Sequence, residues 1–307
     1  MTANTALDRT AAGHPRAGGA ATLGTHTVSR IGYGAIQLRR LDRDAALTLL
    51  RRSVELGVDH IDTAQFYGGA NEFLREALTP ADGTVIVTKV GADPNPGGPI
   101  PLRPAQRPEQ LRASIEDNLE SLGLQQLPVV NLRRLDAGPG LRAEGDQVVD
   151  LDDQLAVLIA LREQGKIGAI GLSGVDLEGL RRALPADIVC VQNSYSLVSR
   201  TDEPLLELCT ANHIAWIPFF PLGGALPGLP KVTDDPTIRS VATALGHTPS
   251  QIALAWLLHH APNILLIPGT ADRTHLEANI AVGSIVLDPD TLATLDAIPS
   301  RVAEIHF

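Results

Sequence analysis

The chain has 307 residues, 44% of them hydrophobic and 20% charged, with a formal net charge of −10 at pH 7. That length and apolar content suffice for one large barrel or two ordinary domains. The acidic balance argues against nucleic acid or an anionic membrane as the main partner.

Residues 1–20 are rich in Ala, Gly and Thr and hold no apolar h-region, so they read as a flexible tail rather than a signal peptide. No later stretch reaches membrane-spanning length. Two cysteines, Cys190 and Cys209, stand in apolar text with no CxxC pair, which fits a reducing cytoplasm.

From Arg30 onward, short β-branched runs alternate with longer segments of helical period. Residues 30–33, 60–62, 84–88, 128–132, 167–172, 188–192, 214–217 and 264–267 read as strands. Residues 42–56, 70–78, 108–122, 151–164, 177–184, 202–212, 250–258 and 273–281 read as helices. In the 108–122 segment Leu111, Ile115, Leu119 and Leu122 fall on one face. Asp42 stands as an N-cap before its helix. Eight strand–helix pairs predict an α/β fold in which a parallel sheet closes on itself. An open doubly wound sheet calls for a glycine-rich first turn. The nearest text, Gly32 to Gln37, lacks the third glycine and opens no clear helix. The segment 91–106, rich in proline and glycine, follows the third strand and reads as a binding loop over the barrel mouth. His259-His260 makes a weak metal pair, because adjacent helical residues diverge.

The second strand ends at Asp62, and Tyr67 follows in a loop. The third strand, VIVTKVG, ends at Lys89. In a barrel, an acid, a phenol and an ammonium then converge on one mouth. Reduction of a carbonyl by hydride needs a proton donor at oxygen. A phenol of ordinary pKa, about 10, is a poor acid at neutral pH. A nearby ammonium stabilises the phenolate and lowers that pKa. A buried ammonium stays charged only beside a carboxylate, which Asp62 can supply.

The DTAQFYG segment with Asp62 and Tyr67, the VTKVG strand with Lys89, and the late IPGTADRTHLEANIAVG text stand in order within residues 31–296. In these motifs the chain resembles an aldo-keto reductase. The resemblance implies a (β/α)8 TIM barrel with an N-terminal β-hairpin plug, here residues 21–28, in a single domain over 21–307. It implies NADPH bound without a Rossmann motif, and a catalytic set of Asp, Tyr, Lys and His. Asp62, Tyr67 and Lys89 match the first three. The fourth strand reads PVVNLRRLD and places Arg133 where the histidine is expected. A guanidinium keeps its proton, so it can donate hydrogen bonds to the carbonyl oxygen but not shuttle protons. Tyr67 is then the general acid. The plainer reading of Arg133 is an ion pair with Asp136.

The resemblance also implies the cofactor contacts. Ser173 and Gln192 fall at the nicotinamide-amide positions, with Gly174 where the family often has asparagine. Phe219 takes the place of a stacking tyrosine. Leu222 and Gly223 approach the pyrophosphate. Gly269, Thr270, Arg273, His275 and Asn279 form the adenosine end, with Arg273 suited to the 2′-phosphate. His275 stands where arginine is frequent, which loosens the preference for NADPH over NADH. The VVNLR and PFFPLGG texts are similar to the bacterial pyridoxal reductases of the superfamily, which implies pyridoxal as substrate.

Two other classes compete. An NADPH-binding regulatory or sensor subunit with little turnover is left room by the missing histidine, whereas the Asp-Tyr-Lys set speaks for an enzyme. A metal-dependent barrel isomerase lacks clustered ligands, so no metal is expected. The expected partner is a small carbonyl compound, in the cytoplasm, with no nucleic acid and no membrane.

Overall fold

The computed structural model describes residues 8–98, 100–136, 141–223 and 229–302. Residues 1–7 of the expected tail, Pro99 of the expected mouth loop and residues 303–307 of the expected domain lie outside the described residues.

The described chain opens with an antiparallel hairpin, β1 (Ala20–Leu23) and β2 (His26–Ser29). There follow β3 (Tyr33–Gly34), α1 (Arg43–Glu55), β4 (His60–Asp62), α2 (Ala70–Ala77) and β5 (Val85–Val90). A second hairpin, β6 (Ala92–Pro94) and β7 (Leu102–Pro104), leads to α3 (Pro108–Leu122). Then come β8 (Leu127–Arg133), α4 (Leu151–Glu163), β9 (Ile167–Ser173), α5 (Leu177–Ala183), β10 (Ile188–Gln192), α6 (Glu203–Ala211) and β11 (Ala215–Trp216). Helices α7 (Pro236–Leu245), α8 (Pro249–His260), α9 (Arg273–Ala281) and α10 (Pro289–Asp296) follow. Among the described residues no helix is long and apolar enough to cross a membrane.

Seven strands make one parallel sheet in the order β11-β10-β9-β8-β5-β4-β3, with a helix in each crossover. This is the repeated strand–helix unit of an α/β barrel. The expected closed ring of eight ladders needs correction. Residues 264–267 form no ladder and meet the two edges through single parallel bridges, Trp216 with Ile264 and Ile31 with Leu266. The sheet is therefore a curled, seven-stranded half-barrel. Proline explains part of the difference: Pro218 and Pro268 follow these short runs and offer no N–H to extend a ladder.

Side chains alternate along the strands with period two. Val85, Val87, Val129, Cys190, Ala215, Ile217, Leu265 and Ile267 form one cluster, joined by Leu23 and Val28 of the first hairpin. Their neighbours Ile86, Val130, Leu132, Ile170, Leu172 and Val191 face the helices, in a cluster with Leu111, Ile115 and Leu158. The segment 8–19, expected as loose, makes definite contacts. Arg16 is ion-paired with Asp59, and the Ile31 amide donates to the Ala17 carbonyl at 3.0 Å.

Helix starts follow local chemistry. The Asp42 carboxylate accepts from the Ala45 amide at 2.9 Å and caps α1. Helices α7 and α10 were not expected. Only Ile238 and Ala242 of α7 and Leu295 of α10 are buried, so neither shows a full apolar stripe.

Candidate active site

Two residues beyond the apolar inner cluster, the same strand faces turn polar. Backbone register sets the spacing: Gly34 lies beside Asp62, Lys89 beside Asn131, Arg133 beside Ser173, and Ser173 beside Gln192. Lys89 Nζ lies 2.6 Å from both Asp62 carboxylate oxygens and 3.1 Å from the Thr63 carbonyl. Its distance to the Tyr67 hydroxyl is 3.5 Å. The Asp62 and Lys89 side chains are only 5% and 4% exposed, so this ion pair is held away from screening water. Gln192 Nε2 adds a third hydrogen bond to Asp62, at 3.0 Å from Oδ2.

Tyr67 ends a single 3-10 turn, Gln65–Tyr67. Gly68 and Gly69 follow with φ of 55° and 75°, a left-handed pair that swings the chain into α2 and suits residues without Cβ. The start of α2 is pinned by a polar chain the motifs did not reveal. Thr63 Oγ1 donates to Asn71 Oδ1 at 2.8 Å, and Asn71 Nδ2 reaches Asn118 Oδ1 at 3.2 Å. Thr88 Oγ1 meets the same Asn118 oxygen at 2.7 Å. Thr63, Thr88 and Asn118 are fully buried and Asn71 nearly so, so the Tyr67 loop is tied to β5 and α3 rather than left to solvent.

Arg133 does not pair with Asp136. That carboxylate is taken by Arg134. The Arg133 guanidinium instead lies 4.8 Å above the Phe66 ring centre, and Phe66 packs edge-on against Tyr67 at 4.9 Å. A cation on an aromatic face beside the Tyr67 loop keeps its charge and is aimed by the ring. The segment 91–106 is the β6–β7 hairpin. Gln106 anchors its base, with Nε2 at 2.6 Å from the Gly91 carbonyl and 2.8 Å from that of Arg133.

His60 lies on β4, two residues before Asp62, and was not singled out from the sequence. It is fully buried, and an added Cβ at Gly32 would overlap its ring. Neither ring nitrogen has a hydrogen-bond partner among the described residues. Burial pushes its pKa down to about 4, so the imidazole is neutral at pH 7.

The residues expected to meet the cofactor fall into two groups. Ser173 and Gln192 are buried at adjoining strand ends, and Phe219 bridges Ser194 just beyond β11. The Gly174 amide donates to Asn193 Oδ1 at 2.9 Å, so an asparagine from the next strand caps this glycine. Leu222 packs on the core. Gly223 turns with φ of 88° beneath the Pro230 carbonyl, and residues 224–228 after it lie outside the described residues. The second group surrounds the start of α9. Gly269 lies against the backbone of Gly34, and the Tyr33 hydroxyl donates to the Thr270 carbonyl at 2.5 Å. Arg273 is exposed and paired with Glu277 at 3.1 Å, a carboxylate that also binds Arg52 at 2.9 Å. His275 is exposed, its amide capped by Asp272 at 2.8 Å, and Asn279 is half-buried on the same helix.

Comparison with known proteins identifies the family. The sequence profile of the Aldo/keto reductase family matches residues 30–299. Pyridoxine 4-dehydrogenase of Escherichia coli K12 is 43% identical over 288 residues, covering 90% of this chain and 97% of that protein. An uncharacterized oxidoreductase of Schizosaccharomyces pombe is 33% identical over 288 residues, covering 91% and 89%. An aldo/keto reductase from Klebsiella pneumoniae, solved in complex with NADP and acetate, matches with a TM-score of 0.75 at 26% identity, covering 94% of this chain and 98% of that one. With a matching family profile that spans every strand of the parallel sheet, the chain belongs to the aldo/keto reductase family and is an oxidoreductase.

Proposed function

We propose that the protein reduces an aldehyde with NADPH, that the aldehyde is pyridoxal, and that Tyr67 is the general acid. The observation that carries this reading is the Lys89 ammonium, 3.5 Å from the Tyr67 hydroxyl and clamped by Asp62. On this reading residues 21–307 work as one barrel domain in the cytoplasm. The first hairpin plugs the end away from the site. The burial of Leu23 and Val28 among the inner strand residues supports that plug.

The residues fit the cofactor. Ser173 and Gln192 offer a hydroxyl and an amide for a carboxamide, and Phe219 supplies an aromatic ring beyond β11. Arg273 stands exposed at the opening of α9, where a phosphate is favoured. NADPH, when bound, supplies hydride to the carbonyl carbon. Tyr67 hands its proton to the carbonyl oxygen, and the phenolate that remains is stabilised by Lys89. Asp62 holds the Lys89 ammonium in place beside Tyr67. Arg133 donates to the oxygen as negative charge develops there. The ring hydroxyl of pyridoxal adjoins its aldehyde and ionises readily, and a permanent cation suits that neighbour better than a histidine whose charge varies. The 43% identity to a pyridoxine 4-dehydrogenase supports the substrate, because oxidation of pyridoxine is the same equilibrium run backward.

The test is consumption of NADPH with pyridoxal and a panel of other aldehydes. Tyr67→Phe should lower turnover on the order of 10²-fold and leave the NADPH dissociation constant unchanged. Turnover of other aldehydes but not of pyridoxal would strike the substrate. NADPH binding without turnover of any carbonyl would favour a sensor.

A further inference from the structure

We infer that Asn131 is a positioning residue: it fixes which way the Gln192 amide points and so couples the Asp62–Lys89 pair to the amide end of the cofactor site. The inference rests on the reading of Gln192 as a cofactor contact.

Four buried groups stand in line across three strands. Cys190 Sγ lies 3.2 Å from Asn131 Oδ1, Asn131 Nδ2 lies 3.4 Å from Gln192 Oε1, and Gln192 Nε2 lies 3.0 Å from Asp62 Oδ2. Cys190, Asn131 and Gln192 are fully buried. An amide can be turned end for end at little cost in shape, so its orientation follows from its neighbours. Here one neighbour decides them all. The ionised Asp62 accepts and never donates, so Gln192 must offer its nitrogen to Asp62 and its oxygen to Asn131. Asn131 must then offer its own nitrogen to Gln192 and its oxygen to Cys190, whose S–H completes the line. Every dipole points its positive end toward the buried carboxylate. Lys89, paired with Asp62, thereby sets the orientation of the Gln192 amide, three strands beyond its own.

Gly171 makes the line possible. It pairs in register with Asn131 on β8 and with Cys190 on β10, directly between them. A Cβ at Gly171 would overlap Asn131 Oδ1 and come within 2.5 Å of Cys190 Sγ. The strand between them is bare at the one place where Asn131 must cross.

With its oxygen held by Asn131 and one N–H held by Asp62, Gln192 has one N–H and one lone pair left for a carboxamide, in a fixed arrangement. Asn131→Leu removes the donor at nearly constant size. It leaves the Gln192 oxygen without a partner and frees the amide to rotate. The NADPH dissociation constant should rise on the order of tenfold, as for a buried group left unsatisfied, and kcat should fall. The KM for pyridoxal should stay near the wild-type value. Asn131→Asp should be worse than Asn131→Leu, because a carboxylate there draws the Gln192 nitrogen away from Asp62. Gly171→Ala, which pushes Asn131 aside, should reproduce the Asn131→Leu effect on NADPH. Thermal unfolding of each variant separates this from a packing defect, which lowers the melting temperature without changing the affinity of the folded fraction. The inference is overturned if folded Asn131→Leu binds NADPH within twofold of wild type. Should that variant not fold, the same result in Gly171→Ala overturns it equally. A wild-type protein that fails to bind NADPH would instead overturn the functional reading beneath it.

Discussion

The Lys89–Asp62 pair makes a demanding prediction, because it separates stability from catalysis. At 2.6 Å and an effective dielectric constant of about 20, the attraction is about 6 kcal/mol. Desolvating two ions costs several kcal/mol each, so the net worth of the intact pair is near zero. Removing one partner is another matter. Lys89→Met leaves the Asp62 carboxylate 5% exposed, with Gln192 as its remaining side-chain donor, and should cost about 3–5 kcal/mol of stability. That is a large part of the 5–15 kcal/mol typical of a domain. Adding Asp62→Asn to Lys89→Met removes the stranded charge at almost constant shape. The double variant should regain about 2 kcal/mol or more over Lys89→Met, a coupling well outside additivity. Turnover should stay abolished in both. Urea unfolding followed by the fluorescence of Trp216 and Trp256, both fully buried, measures the stabilities. Double-variant losses equal to the sum of the single ones would refute the claim that the two charges sustain each other.

Arg133→Gln should lower turnover on the order of tenfold or more as the developing alkoxide loses a charged donor, whereas Arg133→His should retain activity; equal kcat in Arg133→Gln and wild type would place Arg133 away from the reacting oxygen. Arg273→Ala should weaken NADPH on the order of tenfold while leaving NADH unchanged, since only NADPH carries the extra phosphate; titrating both cofactors decides, and equal losses would make Arg273 merely structural. For His60, the folded pKa of about 4 lies below the unfolded value of about 6.5. The folded state therefore binds fewer protons, and stability complete above the unfolded pKa is lost as pH falls toward the folded one, by about 3 kcal/mol in all. His60→Leu should flatten that limb of the urea-midpoint profile, and an unchanged profile would mean that other groups carry it.

Much of the fold was open to a reading of the sequence, because buried parallel strands and amphipathic helices each impose a period. The strand runs 60–62 and 188–192 and the helix runs 108–122 and 273–281 coincide with β4, β10, α3 and α9. The eighth strand misled for a physical reason. ILLI has the composition of a buried strand, but a ladder also needs consecutive donors on both sides, and this run and the adjoining run 214–217 end at Pro268 and Pro218 after few residues. The N-terminal segment misled in the opposite sense. Its composition suggested a loose tail, yet Arg16 is placed beside Asp59, a charge more than forty positions away in the chain, and no local pattern announces a pairing of that kind.

The candidate site divides along the same line. Asp62, Tyr67, Lys89 and Arg133 are legible because each sits at or just past a strand end, where chain position alone implies the mouth of a barrel. The competing pairing of Arg133 with Asp136 could be settled only in space, where the neighbouring Arg134 takes the carboxylate. Asn131 stands inside the buried VVNLR run of β8. An amide inside a buried strand run is itself a signal, because it must find partners or carry the cost of having none. What the sequence withholds is the partner, which here lies two strands away across a glycine. A glycine in such a strand reads locally as weakness, a position with nothing to pack. In the assembled sheet it is the gap that lets one amide orient another, so the meaning of Gly171 belongs to the residues on either side of it in space rather than in the chain.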